Sequence, residues 1–415
     1  MGDSSKQLIK FGTKSVFVRE STGEERKPVN LVLEKKIAQN DMPYIHDALM
    51  FKIFLLLPAK PLLKLSSVCK AWHKIIKSSD FIETHLRGSK TMLIFLNSST
   101  QRRHNCFTFE GKLGELEPFT LFPGPTLPYH NYMCLVDIQD GRGKICDLNI
   151  ICDGNILASC NGLVLLKRKL KNGQQCLFVI NPMTRKIISI PLGTICSRSG
   201  GDSYGFMFCP SLGKYKVVHL FRDTMSYIGC EILTLGAGSW KEVDGPSSSL
   251  LRRFKDYAVP AIGALHWLPA TPGSEYIVSM GIEDEKFHKK TLPNASGVND
   301  GLVEMGEFLC FVNVGVYQID LWTLKDLHME DWVKQHTIIL AFSKCLIPVS
   351  SLQNGKELVF KKRGGNSIYV YDCQLEIVQK VVMETGSLVV WGVRLCGRWK
   401  AKKMWGKIAY ENVLL

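Results

Sequence analysis

Between Pro43 and Leu86 the apolar residues recur at the spacing of helices, with prolines as punctuation. Leu49, Ile53 and Leu56 share one face of a helix predicted from about Ile45 to Leu56, and Pro58 ends it. Pro61 suits the first turn of a second short helix that carries Leu62, Leu63 and Leu65. Val68, Trp72, Ile75 and Ile76 then make an amphipathic stripe, with Lys70, Lys74 and Lys77 opposite. Asp80 and Glu83 have the spacing of a capping box and predict one last turn through Phe81, Ile82 and Leu86. A unit of about 45 residues is near the lower limit for an independent core. It cannot hide Leu56, Leu57, Leu62, Leu63 and Leu65 together, so at least two of them are expected to face a partner.

Beyond Lys90 the helical rhythm gives way to short apolar runs closed by Gly, Asn, Pro or Asp. The runs are Met92–Leu96, Leu163–Leu166, Cys176–Ile180, Ile187–Ile190, Tyr215–Phe221, Cys230–Leu235, Ala264–Leu268, Phe308–Val312, Val316–Leu321, Glu357–Phe360, Ile368–Tyr371 and Leu388–Val393. Many short strands separated by turn residues predict an all-β domain. At roughly 300 residues a propeller is favoured, because radial repetition lets a β fold grow without long exposed edges. Aromatic units recur loosely at Ser239-Trp240-Lys241, Leu265-His266-Trp267, Asp320-Leu321-Trp322 and Asp331-Trp332, as blade repeats would. The expected organisation is a flexible, polar segment over residues 1–41, helices over 42–90, the β domain over 91–395 and a basic tail over 396–415. The fold class is thus α+β multidomain, a small all-α module followed by an all-β propeller-like domain.

The string Leu56-Leu57-Pro58-Ala59-Lys60-Pro61-Leu62-Leu63-Lys64, preceded by Met42-Pro43 and followed by Val68-Cys69-Lys70-Ala71-Trp72 and Phe81 to Leu86, resembles a plant-type F-box. The β region is similar to the plant F-box-associated, kelch-like domain. The matching segments are Ser159-Cys160-Asn161-Gly162-Leu163, Asn181-Pro182-Met183-Thr184-Arg185, Gly213-Lys214-Tyr215-Lys216-Val217-Val218 and Gly263-Ala264-Leu265-His266-Trp267-Leu268. The resemblance implies a substrate-recognition subunit of a Skp–cullin–F-box ubiquitin ligase. The F-box would dock a Skp-type adaptor, and through it the cullin–RING ligase, while the β domain holds a protein target. It also implies a non-catalytic subunit without cofactor or metal. By the same resemblance Pro43, Leu49, Leu57, Pro58, Leu62, Leu63, Val68, Cys69 and Trp72 fall on the motif that builds or contacts the adaptor interface. The chain departs from the usual opening Leu-Pro at Met42-Pro43, an apolar swap costing under ~1.5 kcal/mol, and has His46-Asp47 where Pro-Glu or Pro-Asp is common.

Composition narrows the alternatives. Hydrophobic residues are 46% and charged residues 22%, the balance of a globular protein, and no stretch is apolar for long enough to span a bilayer. The N-terminus lacks the apolar core of a secretory signal, so a cytoplasmic or nuclear setting is expected. There the 14 cysteines are read as thiols, and with no Cys-x-x-Cys pair they suggest buried small hydrophobes such as Cys160, Cys230 and Cys310. The net charge of +14 is compatible with nucleic acid, anionic lipid or an acidic protein, but basic residues do not interleave with aromatics outside Arg398 to Lys407. Neither nucleic acid nor membrane is therefore the expected partner; a stand-alone propeller binding protein, glycan or nucleic acid is the alternative. Gly201-Asp202-Ser203-Tyr204-Gly205 fits the nucleophile elbow of serine hydrolases. The elbow requires a strand before it and a helix after it, whereas Ser197-Arg198-Ser199-Gly200 precedes and the strand-like Phe206-Met207-Phe208 follows. His266, beside Trp267 in an apolar run, is read as a satisfied strand residue rather than a base.

Overall fold

The computed structural model describes residues 45–398, apart from 58, 89–90, 100–129, 140, 152–153, 170–174, 183–185, 195–201, 223–226, 248–256, 328–330, 366 and 384–389. The segments expected as lead-in (1–41) and most of the tail lie outside these residues, as do Pro43 and Pro58.

Four helices form first: α1 (Asp47–Leu55), α2 (Ala59–Leu65), α3 (Lys70–Lys77) and α4 (Ser79–Arg87). Pro61 sits in the first turn of α2, where its missing N–H costs nothing. The cap of α4 differs from expectation. Ser78, not Asp80, is the N-cap: its hydroxyl accepts from the Phe81 N–H at 3.3 Å and donates to the Ile75 carbonyl at 2.8 Å. One serine thus closes α3 and opens α4, which leaves Asp80 in the first turn, where its charge favours the helix N-terminus. Met50, Phe54, Leu62, Ile76 and Phe81 make the small core, and Phe54 meets Trp72 edge-on at 5.3 Å. Phe51 meets Phe81 in the same way at 5.2 Å.

The remaining described residues form six sheets, the blades of a six-bladed β-propeller. Blade 2 is built from Gly154–Cys160, Leu163–Lys169, Gln175–Asn181 and Lys186–Ile190, and blade 3 from Ser203–Cys209, Lys214–Arg222, Ile228–Thr234 and Lys241–Val243. Blade 4 uses Val259–Ala261, Ala264–Trp267, Tyr276–Gly281 and Phe287–Thr291. Blade 5 uses Gly301–Met305, Phe308–Val314, Gln318–Leu324 and Trp332–Ile339, and blade 6 Leu346–Leu352, Glu357–Lys362, Ile368–Asp372 and Ile377–Lys380. Each of these is an antiparallel meander in chain order. The first-to-second turn of blade 2 shows why: Asn161 and Gly162 have φ of 49° and 79°, the two positive values that a tight hairpin turn needs.

Blade 1 closes the ring with both ends of the domain. Its order is Val382–Met383, Arg142–Ile151, His130–Gln139, Thr91–Ser99 and Val390–Arg398, so the C-terminal strand is the innermost and pairs antiparallel with Thr91–Ser99. This last described strand runs to Arg398.

The tryptophan units do not form one repeat. Trp267 ends a second strand and Trp322 lies within a third. Trp240 and Trp332 do hold equivalent places at the start of outer strands. Each donates its indole N–H to a carbonyl at the end of the previous blade's outer strand, Pro191 at 2.9 Å and Thr291 at 2.7 Å. The repeat that exists is a latch between neighbouring blades.

Candidate docking face on the helical domain

Helix α1 presents two faces. Met50 and Phe54 point into the small core, while Leu49, Ile53 and, at the C-cap, Leu56 follow one another along a second face and are exposed. Leu56 is 85% exposed and Leu49 53%, and at the turn between α2 and α3 Val68 is 62% exposed. An isolated exposed leucine needs no explanation, but a run of them along one side of a 45-residue unit is apolar area left for a partner. The turn at Val68 is fixed by Cys69, whose Sγ accepts from the Trp72 N–H at 3.5 Å and caps α3. A buried His85 ties the far side, with Nε2 2.9 Å from the Leu57 carbonyl.

The residues singled out from the motif divide accordingly. Leu49, Val68 and Cys69 are on the surface; Leu57, Leu63 and Trp72 are half-buried, with Leu57 and Trp72 packed on the core. Leu62 is 5% exposed and belongs to the core, so its place is to build the module rather than to touch a partner. Ile53 and Leu56 lie on the open face although the motif-derived set omits them; it is their helical spacing with Leu49, not the motif, that placed them there.

Several sequence candidates resolve into structural groups. Ser203 is fully buried and its hydroxyl accepts from the Trp267 indole N–H at 3.0 Å, and strand follows it, so the hydrolase elbow is not formed. His266 is fully buried with Nδ1 2.7 Å from Ser279 Oγ and Nε2 3.1 Å from the Ala261 carbonyl. Burial holds it down to about 4, and it stays neutral. Cys230 and Cys310 are buried, and burial pushes the Cys310 thiol up to about 12. Cys160 is only half-buried and lines a cavity of about 370 Å³, whose charged lining groups are Glu304 and Glu307.

One cluster has enzyme-like composition. At the seam of blades 2 and 3, the His219 Nδ1 lies 2.6 Å from Glu231 Oε1 and its Nε2 3.6 Å from Asp202 Oδ1. The second distance is too long for a hydrogen bond but short enough for strong charge attraction. Lys167 pairs with Asp202 at 2.8 Å, the Thr194 N–H donates to Glu231 at 2.7 Å, and Tyr204 stacks on the imidazole at 4.3 Å. The ring is fully buried. Burial alone would lower the imidazole's pKa, but the two carboxylates override it and the net shift is upward. Burial likewise pushes Glu231 up, and His219 and Thr194 bring it to a net below the carboxylate range.

This seam is a pH-dependent staple. A raised imidazole contributes stability that is full below its ordinary 6.5 and is lost as pH climbs through the higher native value. The lowered Glu231 contributes stability that is full above its ordinary 4.5 and fails as pH falls through the lower native value. The expected result is a Tm that declines from pH 6.5 to 8.5, and a His219→Gln protein that lacks this decline. At pH 6.5 the variant should be less stable by about 3 kcal/mol, the cost of stranding buried charge. Thermal melts across that range decide it, and parallel Tm curves for the two proteins would refute the staple.

A helical module with an uncovered apolar face, joined to a ring of six blades, defines a modular binding protein with one docking part and one recognition part. Residues 43–84 match the F-box domain, and residues 138–390 match the F-box associated beta propeller domain. The chain belongs to the F-box proteins that carry this propeller. The F-box protein CPR1 of Arabidopsis thaliana is 26% identical over 325 residues, which cover 69% of this chain and 71% of CPR1. A second F-box protein of the same plant is 28% identical over 312 residues, 70% of each chain.

Proposed function

We propose that this protein is the substrate-recognition subunit of a Skp–cullin–F-box ubiquitin ligase, with its open helical face seated on a Skp-type adaptor and its propeller holding the protein to be modified. The observation that carries the reading is the exposed stripe Leu49, Ile53 and Leu56, continued by Val68. It lies within the segment that matches the F-box. Aliphatic anchors at the centre of an interface supply most of its affinity, and this stripe is the apolar surface that the module's own core leaves over.

The mechanism is proximity. Holding a target at one end of a scaffold raises the effective concentration of its lysines at the ubiquitin-conjugating enzyme, and no bond chemistry is asked of this chain. The setting is the cytoplasm or nucleus, where the ligase works. The test is titration of purified full-length protein with a purified Skp-type adaptor in a calorimeter. Saturable one-to-one binding is expected. A folded protein that shows no heat and no comigration on gel filtration would overturn the ligase role and leave the propeller as a stand-alone binding module.

A further inference from the structure

Two kinds of loop share one end of the propeller: those from second to third strands, and those from one blade to the next. At blades 5 and 6 they carry an apolar surface that the ring does not need. Ile339 is 80% exposed and Tyr317 69%, and Val298, Val316 and Phe342 are exposed beside them. Val298, Val316, Tyr317 and Phe342 come from three loops, residues 292–300, 315–317 and 340–345; Ile339 ends the outer strand that leads into the last of them, and residues 363–365 of a fourth loop border them.

The loops are tied to one another. The Asn299 amide donates to the Lys344 carbonyl at 2.6 Å, and Arg363 donates to Asn299 Oδ1 at 3.1 Å. Ser343 Oγ donates to the Gly315 carbonyl at 3.0 Å, and the Leu340 N–H to the Tyr317 carbonyl at 2.8 Å. The surface is therefore held in place before any partner arrives, which reduces the ordering cost of binding. Its charge has one sign. Lys344, Lys362 and Arg363 are exposed on these loops or at their edge. The acid of the same loops, Asp300, is buried and accepts from the Gly297 and Val314 N–H groups and the Asn313 amide, each at 2.7 Å.

We infer that this surface is the target-docking face of the propeller, and that it takes a protein segment in which apolar side chains are flanked by Asp and Glu. The apolar part supplies contact area and the three cations select the flanking charge. Nucleic acid fits less well, because single strands are held by successive aromatic platforms in a cationic groove, whereas three of the five exposed side chains here, Val298, Val316 and Ile339, are aliphatic. The identification of the segment as a ligase target rests on the function proposed above; the docking chemistry does not. The face also lies at the opposite ends of the strands from Thr91, where the chain enters from the helical module. Thr91 pairs with Arg398 at the end of an innermost strand.

The test uses full-length protein as bait for a displayed library of random 12-residue peptides, with Tyr317→Ser/Ile339→Ser and Lys344→Glu/Lys362→Glu as comparison proteins. All four side chains are exposed, so the variants should melt as the wild type does. Selected peptides should combine apolar residues with Asp or Glu. They should lose tenfold or more in affinity for the first variant, and bind the second more weakly with a shallower salt dependence. Selection of basic peptides, no enrichment, affinities unchanged in both variants, or retention of a single-stranded oligonucleotide in place of peptides would each overturn the inference. Adaptor binding is measured on the same preparations. If the wild type takes peptides and not the adaptor, the ligase role fails and this face stands; the reverse result fails the face alone.

Discussion

Protein carrying Leu49→Asp and Leu56→Asp is expected to lose at least about 100-fold in affinity for a Skp-type adaptor while its helices persist, since central apolar anchors are each worth about 2 kcal/mol or more. Both side chains stand on the outer face of α1, so a charge there meets water in the free protein and costs the fold little. In the complex the same carboxylates would be buried without a partner, which is where the penalty arises. Leu62 provides the contrast. It is packed with Met50, Phe54, Ile76 and Phe81, and truncating such a residue costs about 2–5 kcal/mol. A core this small rarely supplies more than about 3–5 kcal/mol, so Leu62→Ala should also abolish binding, but by melting the helices. Circular dichroism beside calorimetry separates the two. A Leu49→Asp/Leu56→Asp protein that binds as the wild type does would show that the adaptor sits elsewhere.

What could be read from the chain depended on where each strand sits in its blade. The second strand of every blade stands out as an apolar run, for example Leu163–Leu166, Tyr215–Phe221 and Phe308–Val312, because it is packed on both faces. Outer strands such as Phe287–Thr291 and Ile377–Lys380 are half in water and carry lysines, so their sequences look like loop. Most innermost strands escaped for another reason. Gly154–Cys160 and Val259–Ala261 are short or rich in Gly, Ser and Pro, because they crowd around the axis of the ring, and of Ser203–Cys209 only Phe206-Met207-Phe208 read as strand. Val316 and Tyr317, expected in a strand, form the turn before Gln318 and stand in solvent instead. The helical module was legible as a motif, but the motif does not say which leucine faces which way. Helical phase does: Leu49 and Leu56 lie on one side of α1 and Met50 and Phe54 on the other. The His219 seam left no readable pattern, since Lys167, Asp202, His219 and Glu231 meet only after two blades are packed together.

A chain ending before Val390 is expected to lose cooperative unfolding altogether. That deletion removes the innermost strand of blade 1, whose partners run from Thr91↔Arg398 to Asn97↔Val390. It leaves Thr91–Ser99 with a row of unpaired backbone groups, the edge that a closed ring exists to abolish. The same strand stands between the innermost strands of blades 2 and 6, so its loss opens both seams. On the blade 6 side, Leu93, Val136 and Ile138 are packed with Leu352, Val359 and Val370. Burying one such side chain is worth about 1.5–3 kcal/mol, and the net stability of a domain is about 5–15 kcal/mol. Exposing even part of this cluster, together with the lost ladder, is therefore enough to consume the margin. The measurement is thermal unfolding with light scattering on chains ending at 389 and at 415. The shorter chain should aggregate or melt without a transition, and a synthetic peptide of residues 388–400 added during refolding should restore part of it. A shorter chain that is monodisperse and melts at the full-length Tm would mean that the ring does not close through its C-terminal strand.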